Sequence, residues 1–131
     1  MTIMVPQLGT KRILDFLIAN TLTLKLYSNN VTPADTDIAA SYTETTGGGY
    51  ASKSLTQANW TVLVANPSSA TYNTVQTWTF TGAVGGTGIV YGYYVIDSGG
   101  NLIFSERFAT SVTPANGTVI NVTPAITADN A

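Results

Sequence analysis

From residue 21 the chain sets Leu22, Leu24 and Leu26 against Thr21, Thr23, Lys25 and Tyr27, a two-residue alternation that suits an extended strand with one buried face. Comparable runs rich in threonine, valine and aromatic residues recur at 50–55, 60–64, 75–81, 89–97, 102–108 and 118–123. Between them stand turn formers: Pro67, then the segments 82–88, 97–101 and 114–117. The run Asp97, Ser98, Gly99, Gly100, Asn101 is the strongest hairpin signal, because glycine takes up the positive backbone angles that such turns need. Short strands spaced in this way predict one all-β domain over 1–131, an antiparallel β-sandwich of seven or eight strands, jelly-roll-like, with one short N-terminal helix. Its expected core draws on Leu22, Leu24, Leu26, Leu55, Trp60, Val62, Phe80, Val90, Tyr94, Ile96, Leu102, Phe104, Val119 and Ile120. The run 89–96 is apolar or aromatic on both sides, with Ile89, Tyr91, Tyr93 and Val95 on one and Val90, Tyr94 and Ile96 on the other. Such a strand lies mid-sheet or has one face covered by another subunit.

The first 20 residues follow a different period. Pro6 and Gly9 punctuate an extended start, Thr10 is placed to cap a helix over 10–19, and Asn20 suits its end. Ile13, Leu14, Phe16, Leu17 and Ile18 fill a broad arc of that helix, and Lys11, Arg12, Asp15 and Ala19 fill the rest, with Lys11 one turn from Asp15. Asp15 interrupts the apolar stretch and no small-residue cleavage site follows, so the segment reads as a helix rather than a secretory leader. The arc is wider than so short a helix needs to cover one sheet. Part of it faces a neighbouring subunit, or all of it plugs one end of the sandwich. The interface candidates are therefore Ile13, Leu14, Phe16, Leu17 and Ile18, joined by Tyr91, Tyr93 and Arg107.

Reactive chemistry is thinly supplied. There is no histidine and no cysteine, and only five basic and seven acidic residues stand among 131. Side chains that shuttle protons, attack carbonyls or hold metals are correspondingly few, so the expectation is a binding or structural part, not an enzyme, with no cofactor. A net charge of -2 with no basic stripe argues against nucleic acid, and no apolar run approaches the roughly 20 residues of a membrane-spanning helix. Four Asn-x-Thr triplets, at Asn30, Asn59, Asn116 and Asn121, are what chance supplies in so threonine-rich a chain.

A long connection, 29–49, carries Asp35, Asp37 and Glu44 and ends in three glycines. Connections of that length inside compact domains usually have a task. Asp35 and Asp37 lack the third ligand and the glutamate of a calcium loop. Glu106 and Arg107 are adjacent in a strand and point to opposite faces, so one of them turns inward or toward an interface and needs an ion-pair or hydrogen-bond partner there. Lys53 reads as an edge-strand charge, and the glycine clusters at 47–49 and 85–88 read as turns, without the lysine and helix of a phosphate loop. Trp60, Trp78, Tyr91, Tyr93 and Tyr94 form either a sugar-stacking platform or core and subunit contacts, and both tryptophans fit core positions of alternating strands.

The blocks TLTLKLYSNNVTP, TTGGGYASKSLT, FTG, YGYYVID, SERF and VINVTPAIT, in this order after an amphipathic start, resemble a family of small virion proteins of tailed bacteriophages. Within that family the chain is most similar to capsid decoration, or cement, proteins. The resemblance implies a homo-oligomer, a trimer fitting a threefold lattice site, whose partner is the major capsid protein and whose place is the outer surface of the capsid in the virion, after synthesis in the host cytoplasm. A tail or fibre component and a host-surface glycan-binding module are the alternatives. Under the decoration reading the arm 1–9 and the helix reach a neighbouring protomer or the capsid.

Overall fold

The structure, a computed structural model, describes residues 3–129. It is mostly β, with three antiparallel sheets and one α-helix, an arrangement of the all-β, sandwich-like class. Helix α1 (Gln7–Ile18) leads into β1 (Leu22–Tyr27), β2 (Lys53–Leu55), β3 (Trp60–Leu63), β4 (Ser68–Tyr72), β5 (Gln76–Thr79), β6 (Val90–Ile96), β7 (Leu102–Val112), β8 (Val119–Val122) and β9 (Ala125–Ala128).

The strand at 22–27 uses its alternation as expected, with Leu22, Leu24 and Leu26 wholly buried on one face. It pairs with β2 and β6, and β7 lies beyond β6, giving the order β2-β1-β6-β7. Lys53 stands on the edge strand β2, its ammonium 5.6 Å from the centre of the Trp78 ring. The other two sheets are β3-β4-β9 and β5-β8. Their registers join them: Ser68 to Thr71 pair with Ala128 back to Ala125, and Gln76 to Thr79 pair with Val122 back to Val119. Residues 68–79 and 119–128 thus run as one antiparallel ribbon, offset where residues 72–75 stand opposite Thr123 and Pro124. Proline has no N–H to give to the ladder, which is why the pairing breaks there.

Among the described residues nine strands form rather than about seven or eight, because β4 and β9 carry little of the expected pattern. Apart from Tyr72 and Ile126 their residues, in SSATY and AITA, are small, and the reason is the helix: α1 packs on β3, β4 and β9, and the fully buried Ala70 leaves it room. The helix itself starts earlier than its sequence predicts. Pro6 occupies the N-cap position, and Thr10 lies inside the helix, its N–H bonded to the Pro6 carbonyl at 3.0 Å. The Thr10 hydroxyl donates to the Gln7 carbonyl at 2.8 Å and meets the buried Ser68 hydroxyl at 2.7 Å, so it ties the helix to β4 instead of capping it.

One core joins α1 to strands of all three sheets, through Leu14, Ile18, Leu24, Leu55, Trp60, Tyr72, Trp78, Val95 and Ile120 among others. Of the expected core, Val62, Ile96, Leu102 and Phe104 are half-buried, and Val119 is exposed because it sits on the outward side of β8. A second cluster, Tyr27, Tyr42 and Tyr94, lies on the other side of the first sheet, with the Tyr42 ring 4.9 Å from Tyr27 and 5.2 Å from Tyr94. Tyr42 comes from the long connection, so the task of 29–49 is to cover that face. The doubly apolar β6 is explained: it lies mid-sheet, and its second face is roofed by the protein's own loop.

Candidate interaction surface

Helix α1 is divided lengthwise. Leu14 and Ile18 are 1% and 4% exposed and belong to the core, so these two interface candidates are corrected: they hold the helix on its own sheet and are out of reach of a neighbour. Leu17 is half-buried at the margin. Ile13 and Phe16, one turn apart on the opposite side, are 50% and 77% exposed. Leu8, in the first turn of the helix, and Ile3 and Met4, ahead of it, are also exposed, by 59%, 84% and 71%. One side of the helix is thus packed on β3, β4 and β9, and the other stands in solvent. Of the arm 1–9, Met1 and Thr2 lie outside the described residues.

The three candidates on β6 and β7 part company. Register shifts between Val90 and Gly92, a β-bulge, place Val90 on the same core side as Tyr93 and Val95, and Tyr91 on the other side with Tyr94 and Ile96. The expected grouping of Tyr91 with Tyr93 is therefore corrected. Tyr93 is also corrected as an interface residue, since it is buried and its hydroxyl donates to Glu106 Oε2 at 2.6 Å. Burial, then the bonded Glu106 carboxylate, pushes the Tyr93 hydroxyl well above the usual phenol range. Arg107 lies on the far side, 5.1 Å from the Tyr91 ring centre, with its guanidinium donating to the Val31 carbonyl at 2.9 Å and to Asn30 Oδ1 at 2.8 Å. Each member of the Glu106 and Arg107 pair has its own hydrogen-bond partner, and Arg107 clamps the start of the roofing loop to β7.

The roof has its own polar ties, which no spacing in the sequence announces. The Tyr42 hydroxyl donates its single proton to Asp37 Oδ2 at 2.6 Å, so Ser105 is the donor in its 2.8 Å contact with the same oxygen. Burial and the Asp37 carboxylate push Tyr42 up to about 12, and the bonds from Tyr42 and from the Ala34 N–H hold Asp37 below the ordinary carboxylate range. Glu44 accepts from Tyr50 at 3.0 Å and from Lys25 at 3.0 Å, while Tyr50 accepts the Leu26 N–H at 3.2 Å. The carboxylates are thus spent one by one on fastening the loop. Among the described residues no group of three potential metal ligands gathers.

Among the open cavities on the surface of the described residues, three bear on function. The first, about 480 Å³, lies between residues 37–40 and 100–102 and holds Asp37. Two smaller ones, about 250 and 210 Å³, adjoin along β7 and β8 and share Phe108 and Asn121, and the larger of the two holds Glu106. Each of the first two has a single carboxylate on its wall, and the third has none. Trp60 and Trp78 are buried, Trp60 edge-on to Tyr72 and Trp78 donating its indole N–H to the Ala51 carbonyl at 2.7 Å. They are core residues and form no stacking platform. No described helix is long and apolar enough to cross a membrane.

What the surface offers is therefore an apolar helix side, an apolar leading segment and an open flank. No protein-family model matches this chain, and no curated protein or solved structure matches it either.

Proposed function

We propose that the protein is a structural component of a tailed-phage virion, a homo-oligomer that docks on the major capsid protein at the outer surface of the shell and stabilises it. The observation that carries this reading is the outward side of α1, where Ile13 and Phe16 stand exposed although the opposite side of the same helix is fully packed. A large apolar side chain held in water on a rigid element is a contact awaiting a partner. Its chemistry is that of docking, an apolar pair with the exposed Arg12 beside it. A part that binds the assembled shell and not its unfolded subunits stabilises the shell by mass action, and an oligomer touching several subunits adds avidity. Jelly-roll connectivity within the sandwich class belongs to the same proposal, supported by pairing between segments far apart in the chain, β1 with β6 and β4 with β9.

The test is co-sedimentation with expanded phage shells that lack decoration. The wild-type chain is expected to saturate a fixed number of sites and to raise the shell's melting temperature, while Ile13→Asp with Phe16→Asp lowers occupancy at least tenfold. Equal occupancy by the double variant, or a virion image placing the protein on the tail, overturns the proposal.

A further inference from the structure

We propose that the cavity between β7 and β8 is a binding site for a neutral pyranose ring, with Glu106 and Asn121 as its hydrogen-bonding groups and Phe108 as its stacking face. The cavity, about 250 Å³, lies where two sheets meet, and each sheet brings to it one polar side chain held by a cross-strand neighbour. Glu106 on β7 is in register with Tyr93 on β6, whose buried hydroxyl donates to Glu106 Oε2 at 2.6 Å. Asn121 on β8 is in register with Thr77 on β5, whose hydroxyl donates to Asn121 Oδ1 at 2.7 Å. One oxygen of each group is thereby fixed. What remains for a ligand is Glu106 Oε1, which only accepts, and Asn121 Nδ2, which only donates. Tyr93 serves the site twice, since its ring also backs the half-buried Phe108, the two centroids 6.2 Å apart and the planes at 44°. Polar groups oriented before the ligand arrives lower the ordering cost of binding.

An acceptor, a donor and an apolar ring in one recess are what a sugar needs. A carboxylate oxygen takes protons from its hydroxyls, an amide gives one to a hydroxyl oxygen, and an aromatic face covers its C–H side. An organic ammonium is also drawn to a carboxylate beside a ring. Here the amide opposes it: with Oδ1 occupied by Thr77, Asn121 presents the positive end of its dipole to the site. An inward-facing charge on an edge strand also discourages edge pairing, a role that needs neither the amide nor the ring. The larger cavity beside Asp37 meets fewer of these conditions, because no aromatic residue lines it and Asn101 there gives its Nδ2 to Asp97. The recess of about 210 Å³ that adjoins the site shares Phe108 and Asn121, adds Val112, Val119 and Ile120, and has no charged group, so an apolar substituent on the sugar has a place to lie. The inference goes beyond the docking role, which rests on α1, and neither depends on the other.

The probes are the methyl glycosides of glucose, galactose and mannose, which between them present neighbouring hydroxyls in both equatorial and axial arrangements, together with their p-nitrophenyl counterparts and n-butylammonium. Each is titrated into the intact chain and followed by the amide NMR signals of the protein. At least one methyl glycoside is expected to saturate and to shift the amides of residues 106–108 and 121–123. Its p-nitrophenyl counterpart is expected to bind about threefold more tightly or better, through the apolar recess. Glu106→Gln, which keeps an acceptor for Tyr93, and Asn121→Ala are each expected to weaken binding about fivefold or more. Both residues are exposed, so the melting temperature is expected to stay within a few degrees of wild type. No shift at these amides with any of the three sugars overturns the inference, and that readout needs no variant. Tighter binding of n-butylammonium than of every glycoside, or variants that bind as wild type does, overturns it as well. Ile13→Asp with Phe16→Asp is expected to leave sugar binding unchanged, so loss of shell docking and loss of sugar binding are read separately.

Discussion

Gly92 stands where a side chain does not fit. A Cβ built there meets the Glu106 carbonyl oxygen and comes within 2.7 Å of both Cε1 and the hydroxyl of Tyr27, all of them held in place by sheet pairing or burial. Gly92→Ala is expected to destabilise the fold by about 2–4 kcal/mol through overpacking, read as a lower denaturant midpoint with an unchanged slope. A loss under about 0.5 kcal/mol shows that β6 can shift away. Gly48 is a second such place, since at φ 61° an added Cβ comes within 2.7 Å of the Gly82 carbonyl oxygen. The tyrosines set a different limit. Burial raises the hydroxyl pKa of Tyr27, Tyr42, Tyr50, Tyr93 and Tyr94, to about 12 for Tyr42 and Tyr94. Because the folded values lie above the unfolded one, this stabilisation is complete below about pH 10 and is lost as pH rises through the folded values. Asp37 and Asp97 act at the other end: their folded values are depressed, by the Tyr42 hydroxyl and by the Asn101 backbone N–H in first place, so their contribution is present above about pH 4 and is lost on acidification through the folded values. With no histidine to titrate between, the melting temperature is expected to hold nearly level from about pH 6 to 9 and to fall above about 10. A steep fall already between pH 7 and 9 contradicts the tyrosine assignment.

Among the elements, α1 is tied to β4 by a small polar group inside an apolar seam. Thr10 and Ser68 are both buried, their hydroxyls 2.7 Å apart, and the Gln7 carbonyl lies within 3.2 Å of both. Thr10→Val and Ser68→Ala are each expected to cost about 1–3 kcal/mol, with the double change less than additive by about 1 kcal/mol in a mutant cycle. Strict additivity would show that the two hydroxyls act separately. How far the elements could be read in advance followed from what their side chains had to do. β1 was legible because one face meets the core and leucine marks it. β4 and β9 were not, because a helix lies on them and small residues give no alternation to see. The run 89–96 gave a strand but the wrong division of faces, since a bulge shifts the phase of everything before it and leaves no mark in composition. Thr10 misled for a chemical reason: a threonine near a helix start serves equally as a cap or as a tether, and only the position of Ser68, 58 residues on, decides.

At the scale of the whole molecule, the exposed apolar side of the helix was half legible. An apolar arc too wide for one sheet was visible in Ile13 to Ile18, but which residues faced out depended on how the helix settled on β4 and β9. The open flank beside β8 arises from topology alone, where two sheets meet, and no local pattern points to it. Ile13→Asp with Phe16→Asp is expected to leave the unfolding free energy of the isolated chain within about 1 kcal/mol of wild type, because Phe16 stands largely and Ile13 half in solvent. A larger loss would move these residues from docking to folding and weaken the proposed role. The loop carrying Tyr42 has a further effect on how such a part could be used. By thatching one broad side of its main sheet with its own chain, fastened by Arg107, Glu44 and Asp37, the protein gives up that side as a meeting place. Under the docking role proposed above, neighbours would come in along the rim and over the helix, through junctions that are narrow and directional and that gain strength through number more than through area.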